Sequence, residues 1–411
     1  MRRPVLRSLI IILGVLLVTY CSADVLLHTR YAGDLRMEER FCRFRLCGSA
    51  QWLRTASRAL WQANPPAPEE AVADFLVVLK RDPHFPFSWV NLGDALAAAH
   101  RNQPAEFCFR QAVALAPHWP PILMRAVNFY FESGDPKAAF PLASQVLDQV
   151  EKYDSEIFSQ YAGQVQGVSE VLQYGLPQTP RPARAFLRYL IKTGRLTEAQ
   201  QTWRWVIAHR LEDAELANDY VSLLLAKHRA EEASTTWKDY LGSRAGDYGK
   251  SNYAFNGGFE SAPSDSPLDW KIQPTQGVEV SRDDTNPDSG QWSLRVRFDG
   301  KHNVTDTGVR EAVVLRQGVF RFRARVRTEG LTTDQGIQFR ISPLDQAQSA
   351  RWSSSQMLGT NAWTTIEIPF TVPMNGMVYL IQLVRNPSLK FDHNIAGVVW
   401  VDSLRIELGP N

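Results

Sequence analysis

From about residue 51 to 247, apolar residues recur every three or four positions, the stripe of an amphipathic helix. From about residue 252 they recur every second position, the pattern of a strand with one face buried. In "WSLRVRFDG" Leu294, Val296 and Phe298 alternate with Arg295 and Arg297. In "VFRFRARVR" Phe320, Phe322, Ala324 and Val326 alternate with Arg321, Arg323, Arg325 and Arg327. "GIQFRIS", "WTTIEIPF", "MVYLIQLV" and "VVWVDSLRIEL" continue the second pattern, divided by clusters of Gly, Pro, Asn and Asp. The pattern predicts a multidomain chain, α then β. A helical domain covers 51–247, irregular at 154–179, and an antiparallel β-sandwich covers 248–411. The join "LGSRAGDYGKSNY" (241–253) is too short for a flexible tether, so the two parts are expected to lie close together.

The helical part repeats. Ala71, Ala105 and Ala139 stand 34 residues apart, as do Ala199 and Ala233, and Trp203 and Trp237 keep that step. Gly93 and Ala105 are small where two helices would cross closely. Trp89, Leu92 and Phe109 are apolar where the crossing must be filled, and Pro117 ends the second helix. In these positions "SWVNLGDALAAAHRNQPAEFCFRQAVALAP" resembles a tetratricopeptide repeat. Units are expected around 52–85, 86–119, 120–153, 180–213 and 214–247. The resemblance implies a right-handed α-superhelix whose inner face, lined by the first helix of each hairpin, holds a protein partner. Asp94, Asn128, Arg184, Arg188 and Asn218 are the groove-facing polar candidates. Arg181, Arg184 and Arg188 share one helix face, which suits an acidic partner; a solvated face is the alternative.

The phrase "NGGFE" (256–260), a Trp ten residues on, and "VVWVDSLRIE" near the end resemble jelly-roll carbohydrate-binding modules of families four and nine. "RNPSLKFDHNIAGVVWVDSLRI" is similar to the closing segment of tetratricopeptide-plus-sandwich proteins of bacterial exopolysaccharide and surface-glycan systems. In such modules the first strand and the last lie side by side and a structural calcium often sits where they meet. The resemblance therefore implies Glu260 and Asp402 as hard oxygen ligands. The alternative is a backbone hydrogen bond for Glu260 and a solvated Asp402. Sugar binding needs flat aromatic rings, and the candidates are Trp270, Trp292, Trp352, Trp363 and Tyr379. Trp400 and Phe259 occupy inward-looking positions and are expected in the core. The arginines of the two alternating strands offer a face for uronic acids or sulfate, or simply a charged outer face that blocks edge pairing.

Composition narrows the function. A net charge of +2 over 411 residues argues against duplex nucleic acid as partner of the whole molecule. "MRRPVLRSLIIILGVLLVTYCSAD" carries three early arginines and an apolar run from Leu9 to about Cys21, so residues 1–24 are expected to be a signal peptide or N-terminal membrane anchor. A connecting segment covers 25–50. The chain is then exported, periplasmic or at the cell surface. Cys42 and Cys47 are free to bridge only across a turn, and Cys108 is a small core residue. No G-x-S-x-G, H-E-x-x-H, P-loop or G-x-G-x-x-G occurs, and the eight histidines lack metal spacing. The sequence thus points to a non-enzymatic, membrane-tethered adaptor, its repeats on a protein and its sandwich on a polysaccharide. No cofactor beyond the structural calcium is implied. The alternatives are a protein-assembly scaffold with a degenerate sugar module and an accessory subunit of a glycan-processing enzyme.

Overall fold

The computed structural model describes residues 12–16, 18–19, 56–57, 60–62, 66–165, 167–344, 351–391 and 393–409. The expected signal or anchor segment lies outside the described residues except at 12–16 and 18–19, which are helical; the connecting segment with Cys42 and Cys47 lies wholly outside them. Among the described residues no helix is long and apolar enough to cross a membrane. The chain divides into two compact units, Met1–Pro182 and Ala183–Asn411.

The first unit contains helices α1 (Pro68–Arg81), α2 (Pro86–Ala98), α3 (Asn102–Leu115), α4 (Pro120–Glu132), α5 (Pro136–Gln149) and α6 (Asp154–Gln164). Four of them open on proline, whose fixed φ suits the first helical turn and whose missing N–H costs nothing there. Ala71, Ala105 and Ala139 are fully buried at the helix crossings, as the 34-residue step predicts. A Cβ on Gly93 would stand 3.0 Å from the Phe109 ring, so a larger residue there would have to push that ring back by a few tenths of an ångström. Trp89, expected between the helices, is instead half-exposed. Its indole donates to the Pro83 carbonyl at 2.8 Å and its ring meets Phe107 edge-on. Past α6 the period breaks into a helical turn at Val168–Glu170 and a π-turn at Val171–Gly175. Here the Tyr161 hydroxyl donates to the Gly175 carbonyl at 2.7 Å inside the core.

Helix α7 (Pro180–Lys192) spans the division, and α8 (Leu196–Ala208), α9 (Ala214–Ala226) and α10 (Ala230–Leu241) follow. Ala199, Ala233, Trp203 and Trp237 are buried in the roles assigned to them. The strands are β1 (Lys271–Ile272), β2 (Val278–Asp283), β3 (Ser293–Asp299), β4 (Asp306–Leu315), β5 (Gly318–Leu331), β6 (Ile337–Pro343), β7 (Trp352–Ser353), β8 (Gly359–Val372), β9 (Met377–Arg385) and β10 (Ala396–Leu408). They form two five-stranded antiparallel sheets, ordered β1-β4-β9-β6-β7 and β2-β3-β10-β5-β8. The alternating apolar positions meet between the sheets: Leu294, Val296, Phe320, Phe322 and Ile406 from one, Val309, Phe339, Ile341 and Ile381 from the other.

The opening segment of the sandwich lies flush against its last strand. Tyr253 N–H donates to the Ile406 carbonyl and Leu404 N–H to the Gly257 carbonyl, both at 3.0 Å. A Cβ at Gly257 would stand 2.1 Å from the Leu404 carbonyl oxygen, which is why this phrase carries glycine. The short join is packed rather than loose. Tyr248 is buried, its ring 5.7 Å from Phe255, which in turn meets Trp237 of α10 at 5.8 Å. Arg405 of β10 reaches Asp247 at 2.7 Å.

Behind this join lies Glu311 of β4, fully enclosed. One carboxyl oxygen accepts the Phe255 N–H at 2.8 Å; the other has no hydrogen-bond partner among the described residues. Burial, then the nearby Asp269, hold the Glu311 carboxyl well above the ordinary range. Below that range the group is protonated in both folded and unfolded chains and adds no pH dependence. As pH rises towards the raised native value only the unfolded chain ionises freely, so stability falls. Glu311→Gln is expected to stabilise the chain more at pH 8 than at pH 5, narrowing the difference between urea melts at the two values.

Candidate functional site

The groove candidates sit on the first helices of their hairpins, as projected, but they are engaged with neighbouring helices. Asp94 of α2 pairs with Arg125 of α4, whose guanidinium also donates to Asn91 at 2.7 Å. Burial pushes the Arg125 guanidinium down to about 10. Asn128 donates to Glu156 of α6 at 2.9 Å, and Arg181 meets Asp154 at 2.6 Å. In the second unit Arg184 holds Asp213 at 2.7 Å and the Leu211 carbonyl at 2.6 Å. Arg188 reaches Glu215 at 2.9 Å and Asp219 at 3.4 Å. Asn218 keeps a buried carbonyl oxygen without a partner among the described residues. The arginine stripe is therefore not a free basic face for an acidic partner. Successive first helices stand side by side, so a residue meets the helix one repeat away, and each guanidinium is neutralised there. Asp94 and Asn128 do come together, with Asn91, Arg125, Glu132 and the exposed Trp61, around a hollow of about 750 Å³.

The five aromatic candidates divide by strand phase. Trp270 is 1% exposed, packed 5.2 Å from Phe259 with its indole N–H on the Phe255 carbonyl. Tyr379 is 1% exposed and shares the inward phase of Ile381 and Leu383. Neither ring can meet a ligand, which corrects both assignments. Trp352 lies opposite Ile341 and packs inward against Phe370 at 5.6 Å and Tyr379 at 6.2 Å, so it too serves the core. Trp292 and Trp363 are half-exposed. The Arg282 guanidinium stacks on Trp292 at 4.1 Å, and the Trp363 indole donates to the Asn286 carbonyl at 3.3 Å. The expected core position of Phe259 holds; Trp400 is buried too, at 8% exposure, but on the outer side of its sheet and not between the sheets. Its neighbours Val399 and Val401 take the core side, and Arg327 covers the outward Trp400 ring at 4.4 Å.

The arginine ladder is the outer face of the second sheet, and every arginine in it has an acid. Arg297 pairs with Glu279 at 2.5 Å, Arg295 with Asp283 at 3.7 Å and Arg325 with Asp288 at 2.9 Å. Arg323 and Arg321 share Glu367 at 2.7 and 3.9 Å, and Arg327 reaches Glu329 at 3.6 Å. A face so neutralised offers little to uronate or sulfate, contrary to that expectation.

Glu260 and Asp402 come close together at Gly258, as the resemblance implies, but as backbone acceptors. Glu260 accepts the amides of Gln291 and Trp292 at 2.9 and 3.2 Å. Asp402, 0% exposed, accepts those of Asp288 and Ser289 at 2.9 Å and that of Ser403 at 2.5 Å. Together they clamp the β2–β3 turn onto the opening segment and onto β10, which bulges between Asp402 and Arg405. Calcium takes six to eight oxygens. Here amide N–H groups face three of the four carboxylate oxygens, and among the described residues no group of three or more His, Cys, Asp or Glu could hold a metal. The donors present do not fit the ion.

The outer face of the first sheet differs from that of the second. Lys271 lies opposite Arg310, Arg310 opposite Gln382, Gln382 opposite Arg340, and Arg340 opposite Ser353. Directly opposed residues share a face, so one polar row crosses all five strands over about 19 Å. Gln338 and Asn386 join it through a 3.0 Å hydrogen bond. At the end of this face towards α10, outward Val314 is covered in a hollow with Glu231 and Ser234.

No protein-family profile matches the chain, and no curated protein matches it. Among solved structures it is similar to a family 61 carbohydrate-binding module bound to β-1,4-galactotriose, at 16% identity and a TM-score of 0.28, covering 38% of this chain and 99% of that one. A family-four carbohydrate-binding module is similar at 13% identity and a TM-score of 0.28, over 38% of this chain and 99% of the module. MamA from Desulfovibrio magneticus RS-1 is similar at 15% identity and a TM-score of 0.24, over 49% of this chain and 97% of its own. Identities this low speak at most to fold.

Two features escaped the sequence. The polar row is invisible in any single strand, because "GIQFRIS" and "MVYLIQLV" show their polar phases without showing which residues lie opposite. Arg385 ends an apolar strand and reads as a boundary charge. It is 1% exposed and makes five hydrogen bonds: to the carbonyls of Gln335, Val304 and His393, and to the side chains of Asn303 and Thr333, at 2.7 to 3.1 Å.

Proposed function

We propose that the chain is a non-enzymatic, exported and membrane-tethered adaptor in the synthesis, export or retention of an exopolysaccharide or cell-surface glycan. Its helical hairpins, of tetratricopeptide type, hold a protein partner. The hollow around Asn91, Asp94, Arg125 and Trp61 offers that partner mixed polar and aromatic contacts. Its sandwich takes the polysaccharide. The observation that carries the reading is the row across the first sheet, where amide, hydroxyl and cationic side chains stand together on one half-exposed face. Sugar hydroxyls are both donors and acceptors, and such a face serves both. The second sheet spends its polar groups on one another.

A glycan array probed with the intact chain tests this. Binding to a defined polysaccharide is expected, and it is expected to persist in EDTA. Silence from a folded protein would transfer the role to protein assembly, which the covering of Val314 beside α10 favours as the second reading.

A further inference from the structure

Charge on the row of the first sheet is unbalanced. Arg310 and Arg340 form no ion pair among the described residues, whereas each arginine of the opposite ladder has one. The Arg310 Nε is buried with no hydrogen-bond partner among the described residues. Among the described residues Arg340 has only a 3.4 Å contact with the Asn386 amide oxygen, and Lys271 donates to the Asp265 carbonyl. A hollow of about 350 Å³ adjoins Arg310. Its acid, Asp306, accepts the Gly308 N–H at 2.8 Å and does not pair with Arg310, and His302 on its rim is held by Asp299. A half-buried guanidinium without an acceptor is costly, and a bidentate oxyanion relieves that cost.

We infer that this face binds an anionic polysaccharide, with Arg310 and Arg340 each taking a carboxylate or sulfate group and Lys271 extending the site at the edge. The inference rests on the polysaccharide reading above and names the sugar class. The two arginines are separated by Gln382, two strand spacings or about 10 Å apart. That suits acidic groups on a repeating disaccharide, with the Gln382 amide on the hydroxyls between them. A protein ligand would call for an apolar anchor that the row lacks. A nucleic acid would need a denser run of cations and stacking rings.

The test is affinity electrophoresis of the intact chain through gels containing polygalacturonate, dextran sulfate, a neutral glucan or single-stranded DNA. Retardation by polygalacturonate and not by the glucan is expected. Arg310→Gln and Arg340→Gln should each weaken it about tenfold. Arg323→Gln, on the opposite sheet, should change it less than about twofold. Lys271→Gln, on a two-residue edge strand, should weaken binding without altering the melting curve, which guards against misfolded arginine variants. Retardation by dextran sulfate with the same variant losses would support the site and make sulfate its anion. Binding of the neutral glucan unaffected by the arginine variants would overturn the inference and leave the polysaccharide reading standing. Binding of no glycan would remove both. Equal retention by single-stranded DNA, or equal loss in Arg323→Gln, would reduce the effect to unspecific charge and overturn the inference.

Discussion

Arg385→Met is expected to cost about 4 kcal/mol of stability, because a buried cation with five acceptors is replaced by a side chain that satisfies none of them. The guanidinium ties three loops to the end of β9: residues 303–304, 333–335 and 393. Methionine fills the length but leaves buried carbonyl groups unpaired. Urea unfolding of the intact chain, followed by tryptophan fluorescence, measures the loss. Arg385→Lys should recover less than half of it, since an ammonium on a flexible stem cannot reproduce a planar fork with five donors. A midpoint unchanged in both variants would mean that these loops hold their places without the arginine.

Asp402→Ala should be the next most damaging change, at about 3 kcal/mol. It leaves the amides of Asp288, Ser289 and Ser403 without their acceptor and frees the β2–β3 turn from β10. The same loss is expected in EDTA and in millimolar calcium, and the melting temperature of the unaltered chain should be equal in the two buffers. A bound ion at a hundred times its dissociation constant would add about 2.7 kcal/mol, so a calcium-dependent melt would be plain to see and would reinstate the metal.

Expectation and structure diverge most where a residue's partner lies far from it in the sequence. Arg184 and Arg188 stand on the first helix of a hairpin and share one face of it. Their charge, however, is cancelled by Asp213, Glu215 and Asp219 about one repeat later, a contact that no local pattern contains. Tyr379 shares its strand with Ile381, and the alternation of that strand already turns it inward; Trp352 stands in a strand of two residues, and only its pairing with Ile341 decides its side. For Trp270, which precedes a strand of only two residues, no alternation was long enough to use.

What the sequence determined by itself is the grammar of the fold. A step of 34 residues with small residues at fixed positions dictates stacked helical hairpins, because helices can cross closely only where a side chain is absent or tiny. An alternation of two dictates strands with one buried face, and glycines in "NGGFE" dictate a backbone pressed against another. The tertiary structure alone decided which charges remain available. Apart from Arg327, which meets Glu329 two residues on, ion pairs between residues 12 to 46 positions apart emptied both arginine-rich faces that the sequence advertised. Register between strands far apart in the chain assembled Lys271, Arg310, Gln382 and Arg340 into a row that no stretch of sequence announces. Periodicity reports which side of an element is wet. Only packing sets the opposing partner, and a binding face is made of the groups that packing leaves without one.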